Sequence, residues 1–188
     1  MSDIVKNKVE TNVNFDIDPI QLIKDIFGSD KDRNNLAVAI ENGTNKEWKV
    51  EWNNDVGHGD FHDSKGNSKL KAINPYTSKA VKSEDFELGF KAVGAGCNVA
   101  IKIKLNDKSD SYFGIMAATP VNKTNYVKAK YYEKNMSFEK LWDDLDDMDK
   151  HYGSEGALNV KNKTKTVNAE ITIEETSPAA CIIKLEMV

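Results

Sequence analysis

Val99-Ala-Ile-Lys-Ile-Lys-Leu105, Tyr112-Phe-Gly-Ile-Met-Ala-Ala-Thr-Pro120 and Tyr126-Val-Lys-Ala-Lys-Tyr-Tyr132 follow one another, separated only by short polar segments. In the first, Val99, Ile101, Ile103 and Leu105 take every second position. That period is the signature of a strand with one face in a core. The second is apolar almost throughout and stops at Pro120, which has no amide hydrogen to give a sheet. The third interleaves aromatic residues and Val127 with Lys128 and Lys130. Asn106-Asp-Lys108 supplies turn chemistry between the first two. Three strands in a row, each a few residues from the next, predict a β-rich domain.

Working outward, the same signals recur. Thr166 to Ile173 and Ala180 to Met187 read as strands around a Ser177-Pro178 turn. Phe86, Leu88 and Phe90 alternate ahead of a Gly-Ala bend over Val93 to Gly96, and Leu70 and Ile73 begin a strand broken by Asn74-Pro75. Trp48, Val50 and Trp52 alternate with Lys49 and Glu51. Leu36-Ala-Val-Ala-Ile40 is a compact apolar run, and Asn42-Gly43 after it is a strong hairpin dipeptide. Val9, Thr11, Val13, Phe15 and Ile17 alternate near the start, behind a polar arm. Many short strands with regular turn signals predict a mainly β fold, a two-sheet β-sandwich.

Two short α-helices flank it. Asp18 is placed as an N-cap, Pro19 at the first helical position, Gln21 as a capping-box partner and Gly28 as the C-cap. Between them Ile20, Leu22, Ile23, Ile26 and Phe27 make an apolar stripe on a helix ~14 Å long. The second helix spans 137–152. Ser137 caps it, and Phe138, Leu141, Trp142, Leu145, Met148 and Tyr152 fall at helical spacing. Asp143, Asp144, Asp146, Asp147 and Asp149 fill its other face. The chain is read as one domain over 1–188: arm and strand 1–17, amphipathic helix 18–28, sandwich 36–187.

Composition narrows the function. The 188 residues carry 26 Lys and Arg against 30 Asp and Glu, a net charge of −4. A nucleic-acid partner, which normally meets a basic face, is not expected. No stretch approaches the ~20 apolar residues of a membrane-spanning helix, and no secretory leader is read at the start. Cys97 and Cys181 read as two buried thiols, with one bridge as the alternative. The four N-x-[ST] triplets at Asn42, Asn122, Asn135 and Asn162 read as chance in a chain rich in Asn and Thr. His58, Asp60, His62 and Asp63 match no metal spacing, and the Asp run is no EF-hand loop, so no metal or other cofactor is expected. Without a nucleophile-elbow, P-loop or dinucleotide motif, an enzyme is not expected.

Tyr112, Phe113, Tyr126, Tyr131, Tyr132, Phe138 and Trp142 crowd into one region. They are either core or the lining of a shallow pocket. Tyr and Trp suit a membrane interface, and aromatic faces hold quaternary ammonium groups.

The order of these pieces resembles the actinoporin-like family of pore-forming cytolysins. The likeness rests on the opening from Asn12 to Gly28, Leu36-Ala-Val-Ala-Ile-Glu-Asn-Gly43 with Trp48, the strand Phe113 to Pro120, Phe138-Glu-Lys-Leu-Trp142, and the closing Thr176-Ser-Pro-Ala-Ala-Cys-Ile-Ile-Lys-Leu185. It implies a monomer in solution, secreted or released without a recognisable signal peptide, that binds a phosphocholine-type lipid headgroup on a target cell membrane. The N-terminal helix would then detach, and copies would assemble into a homo-oligomeric pore. Carried over position by position, the headgroup site is Ser64, Val93, Ala118, Pro120, Tyr126, Phe138 and Trp142. The inserting helix is Ile20, Leu22, Ile23, Ile26 and Phe27. Where the family has an aromatic-rich loop after the Pro, this chain has Val121-Asn-Lys-Thr-Asn125. A second resemblance, to aegerolysins at Gly59 to Asn67, supports the alternative of a lipid- or sugar-binding module without pore activity of its own.

Overall fold

The computed structural model describes residues 17–28, 34–53, 60–61, 71–73, 88–91, 96–106 and 108–188. The strand expected from Val9, the His58–Asp63 cluster apart from the backbone of 60–61, Ser64 and Val93 lie outside the described residues. In chain order the elements are α1 (Pro19–Phe27), β1 (Leu36–Asn42), β2 (Trp48–Asn53), β3 (Asp60–Phe61), β4 (Lys71–Ile73), β5 (Leu88–Lys91), β6 (Gly96–Lys104), β7 (Tyr112–Pro120), β8 (Tyr126–Tyr132), α2 (Phe138–Asp146), β9 (His151–Tyr152), β10 (Leu158–Lys161), β11 (Val167–Ile173) and β12 (Ala179–Met187).

These strands pair into two sheets, ordered β10-β11-β12-β1-β5-β3 and β4-β2-β6-β7-β8-β9, so the predicted β-sandwich flanked by two helices is the observed fold. The alternation read at Val99, Ile101 and Ile103 is the inward face of β6. It meets Phe113, Ile115 and Ala117 of β7, and from the other sheet Leu36, Val38 and Ile40 of β1 with Cys181, Ile183 and Leu185 of β12. Both cysteines are free thiols in this layer, each pushed up to about 12 by burial.

β1 is apolar without alternation because it is covered twice. It pairs in parallel with β12, Leu36 opposite Ala179 through Asn42 opposite Leu185. Its inward residues join the inter-sheet core, while Ala37 and Ala39, with Ala180 of β12, form a ledge under α1. Asn42-Gly43 is not a hairpin turn, contrary to expectation. β1 pairs with β12 and β5 while β2 pairs with β4 and β6, so this turn carries the chain from one sheet to the other. Asn42 is buried and shapes the crossing. Its amide donates to the Lys46 carbonyl at 2.7 Å, and its Oδ1 accepts from the Thr44 hydroxyl at 2.7 Å. Trp48 Nε1 then donates to Thr44 Oγ1 at 2.8 Å.

α1 starts and stops where its caps were read. The Asp18 carboxylate accepts from the Ile20 and Gln21 amides, and Gly28 takes φ +57° at the C-terminus. Gln21 departs from the capping-box expectation, its side-chain amide donating instead to Asp25 at 2.6 Å. α2 begins at Ser137, whose Oγ accepts from the Lys140 amide, but ends at Asp146 rather than Tyr152. Asp146, Asp147 and Asp149 crowd a helix end that already carries partial negative charge. The next residues turn back, and Tyr152 pairs with Tyr126 of β8. α2 lies over the outer face of β6, β7 and β8 above a second apolar layer that includes Tyr112, Met116, Tyr132, Leu141 and Leu145. The molecule is thus four layers deep: α1, sheet, sheet, α2.

Candidate functional site

The residues carried over by resemblance divide among three places. Ala118, Tyr126, Phe138 and Trp142 share the layer beneath α2. Pro120 stands outside that layer, at the end of β7. Ser64 and Val93 fall outside the described residues. Most of the aromatic crowd is core. Tyr112 and Phe113 are at most 1 % exposed, and Tyr132 and Tyr126 are buried beside them. Phe138 and Trp142 are half-buried. The rings of Tyr112, Phe138, Tyr126 and Tyr132 in this layer carry the chain's own ammonium groups. Lys102 Nζ lies 4.3 Å from the Phe138 centroid, and Lys150 Nζ 4.6 Å from that of Tyr126.

Buried lysines hold α2 in place. Lys102, 3 % exposed, donates from β6 to the carbonyl of Met136 and to Asn135 Oδ1, just ahead of the helix. Desolvation first, then the neighbouring Lys104, lowers its pKa. Lys128 does the same from β8 at the far end, reaching the Asp146 carbonyl at 2.7 Å. Between them the Tyr132 hydroxyl donates to Asp144 Oδ2 at 2.6 Å. Burial and that bond push the phenol far up, and the bond holds Asp144 below the usual carboxylate range. This face is a structural joint whose polar groups are largely used.

An open depression of about 480 Å³ lies at the end of the sandwich where β7 turns into β8. One wall is the turn after β7: Pro120, Val121, Asn122, Lys123 and Thr124. Facing it are Asn34, ahead of β1, and Glu175 and Ser177 from the β11–β12 turn. Two buried side chains brace the walls. The Thr119 hydroxyl donates to the Asn34 carbonyl at 2.5 Å. Asn125, fully buried, donates to the carbonyls of Glu174 and Thr176 at 2.9 and 3.2 Å and accepts from Ser177 Oγ. Glu175 Oε1 accepts from the Ser154 amide at 2.9 Å. The side chains of Asn122, Lys123 and Thr124 are exposed and make no hydrogen bond or ion pair with the described residues. Of these lining residues only Pro120 is expected at a site from the sequence, and the 121–125 loop enters only as the counterpart of an aromatic-rich one. The available signal was its density of turn-forming polar residues directly after a strand-ending proline.

α1 lies on the other sheet. Leu22 and Phe27 are buried against Ala37, Ala39 and Ala180, with Ile23 and Ile26 partly covered. Ile20 departs from the expected stripe and is 59 % exposed. At 3.6 residues per turn it lies about a quarter turn from the centre of the arc made by the other four. The helix therefore sits outside the inter-sheet core, on small side chains. Among the described residues no helix is long and apolar enough to cross a membrane.

No protein-family model matches the chain, and no curated protein matches it. The crystal structure of the lipid binding protein Nakanori superposes with a TM-score of 0.57 at 13% identity, covering 87% of this chain and 75% of that one. The two share a fold. Wild-type lectin XCL of Xerocomus chrysenteron gives a TM-score of 0.44 at 5% identity, over 82% of this chain and 98% of that one, too loose a likeness to carry an argument.

Proposed function

We propose that the chain is a recognition module that binds a lipid headgroup or a glycan and performs no chemistry of its own. The depression between the 120–125 and 174–177 turns carries this reading. It is braced by buried Thr119 and Asn125, and it presents an ammonium group, an amide and a hydroxyl that have no partners among the described residues. Surfaces of that kind bind polar groups rather than apolar ones. Fold likeness to a lipid-binding protein supports the same direction by analogy. The test is flotation of the full chain with vesicles of defined lipids, together with an immobilised-glycan panel. Retention on neither overturns the reading.

A second reading, pore formation of the actinoporin kind, draws on α1. An amphipathic helix on an alanine ledge outside the main core can leave without opening the sandwich. A nine-residue helix is shorter than the ~30 Å apolar thickness of a bilayer, so insertion needs the residues before Ile17 to extend it. Dye release from vesicles by the protein alone supports this reading. A cysteine pair joining α1 to β12, such as Leu22→Cys with Ala180→Cys, should then abolish release until reductant is added. Release by the locked protein rules out detachment. Binding without any release leaves the module reading and removes the pore.

A further inference from the structure

The polar end of the sandwich also constrains what kind of ligand it takes, granted that it is the recognition surface proposed above. We propose that the depression is a carbohydrate site for a neutral pyranose, with Asn122, Thr124 and Glu175 bonding its hydroxyls and Pro120 with Val121 lying under its C–H face.

Charge is the first argument. Lys123 and Glu175 are the only ionised groups among the eight lining residues, and they are of opposite sign. A strongly anionic or cationic ligand would meet one partner and one like charge at close range. A neutral ligand meets neither penalty.

Hydrogen-bond type comes second. An amide offers donor and acceptor, a hydroxyl offers both, an ammonium only donates and a carboxylate only accepts. Asn122, Thr124, Lys123 and the remaining Glu175 oxygen therefore present donors and acceptors within one depression. A ring bearing several hydroxyls, each of which donates and accepts, can match that mixture. A phosphate, which only accepts, would leave the carboxylate opposed.

The depression also lacks aromatic rings. None of the eight lining residues is Phe, Tyr or Trp. A quaternary ammonium favours such faces, and in the apolar layer under α2 the rings of Phe138 and Tyr126 already hold Lys102 and Lys150. Pro120 and Val121 supply only a narrow apolar strip, which fits one face of a sugar ring and little more. The volume is within the range of small-ligand sites.

Rigidity makes the match selective. Both walls are tied from behind by buried groups, so little conformational freedom is lost on binding.

The experiment is calorimetric titration of the full chain with methyl glycosides of glucose, galactose, mannose and N-acetylglucosamine, and with phosphocholine. The proteins are wild type, Asn122→Ala, Glu175→Gln and, as a control away from the depression, Glu186→Gln. Weak saturable binding of at least one glycoside is expected. Asn122→Ala and Glu175→Gln should each weaken it by about tenfold, and Glu186→Gln should leave it unchanged. Glu175→Gln should keep the wild-type melting temperature, whereas Asn122 holds φ +56°, so its Ala variant should melt slightly lower. Phosphatidylcholine vesicles with and without a monohexosyl ceramide give a second arm. Recruitment by the glycolipid alone, lost in the same variants, assigns the sugar to a membrane. Glycoside binding without recruitment assigns it to soluble glycans, and both support the site. The proposal is overturned if no glycoside binds, if the variants bind as wild type does, or if phosphocholine saturates the depression instead. Plain phosphatidylcholine vesicles that bind all variants equally would remove the sugar site while leaving the recognition-module reading intact.

Discussion

The ammonium group of Lys128 lies 2.7 Å from the carbonyl oxygen of Asp146 and 3.1 Å from that residue's carboxylate. A side chain 2 % exposed thus leaves the sheet to satisfy one of the open carbonyls at the C-terminal end of α2. It also neutralises charge where the helix dipole is least tolerant of an acid. Asp146 itself is 62 % exposed, so without Lys128 its groups can turn to water. Lys128→Ala should therefore cost a modest amount, about 1–2 kcal/mol. Lys128→Met, which keeps the stem, should recover part of the loss. Urea midpoints of the three proteins check this, and equal midpoints would show that the latch is idle.

Tyr132 and Asp144 form the middle fastening of the same helix. The bond holds the Asp144 pKa below its ordinary 3.8. A carboxyl with a depressed native pKa contributes stability above its unfolded pKa, and loses it as pH falls through the native one. Wild type should thus lose stability from about the ordinary carboxylate value downward. Tyr132→Phe should be less stable at pH 7 by about 1 kcal/mol and should show a shallower acid decline. Unfolding curves between pH 7 and pH 2.5 measure both, and parallel declines would remove the bond from the acid response.

Gly114 sits on the outer face of β7 under α2. A Cβ added there would meet Tyr132 Cε2 at 2.6 Å and Leu141 Cδ1 at 2.7 Å. Gly114→Ala should therefore lift the helix and cost about 1–3 kcal/mol by overpacking. Loss of near-ultraviolet signal from the stacked Tyr112 and Tyr132 rings, 5.1 Å apart, should accompany it. A melting temperature at or above that of wild type would show that the layer has room.

Cys97 and Cys181 are wholly buried thiols, raised to about 12 by burial. Neither should react with a thiol reagent in the native protein at pH 8, and both should react at once in denaturant. Fast labelling of either in the folded state would contradict their place in the inter-sheet core.

Leu22 is the anchor of α1, fully buried against three alanines. Leu22→Ala should loosen the helix without unfolding the sheets. Limited proteolysis near α1 should accelerate several-fold while the main thermal transition stays within a few degrees. A large drop in the main transition would mean that helix and sandwich unfold as one unit.

How far the residues announced this arrangement depends on distance along the chain. Val99 to Tyr132 was legible because its three strands are neighbours in both sequence and space, so period and turn chemistry are local facts. The caps at Asp18 and Ser137 were legible for the same reason. Asn42-Gly43 misled because its dipeptide is a hairpin signal only when the flanking strands pair with each other, and here each pairs elsewhere. Lys102 and Lys128 alternate with apolar residues in their strands, a pattern that by itself places them away from the inter-sheet core. Nothing near them in sequence tells that a helix many residues later covers them. The depression was not legible, apart from Pro120, because its walls come from residues 34, 120–124, 175 and 177, far apart in the chain and braced by Thr119 and Asn125.

The parallel pairing of β1 with β12 also has a consequence for synthesis. Leu36 is translated long before its partner Ala179. Until residues 179–187 are made, the central strand of that sheet has one open flank, and the ledge for α1 lacks Ala180. A nascent chain must therefore wait, with greasy edges showing, for residues 179–187 to slot in. Folding of this sheet waits on synthesis of residues 179–187, and ribosome-stalled fragments ending before residue 179 are where aggregation or chaperone capture should concentrate.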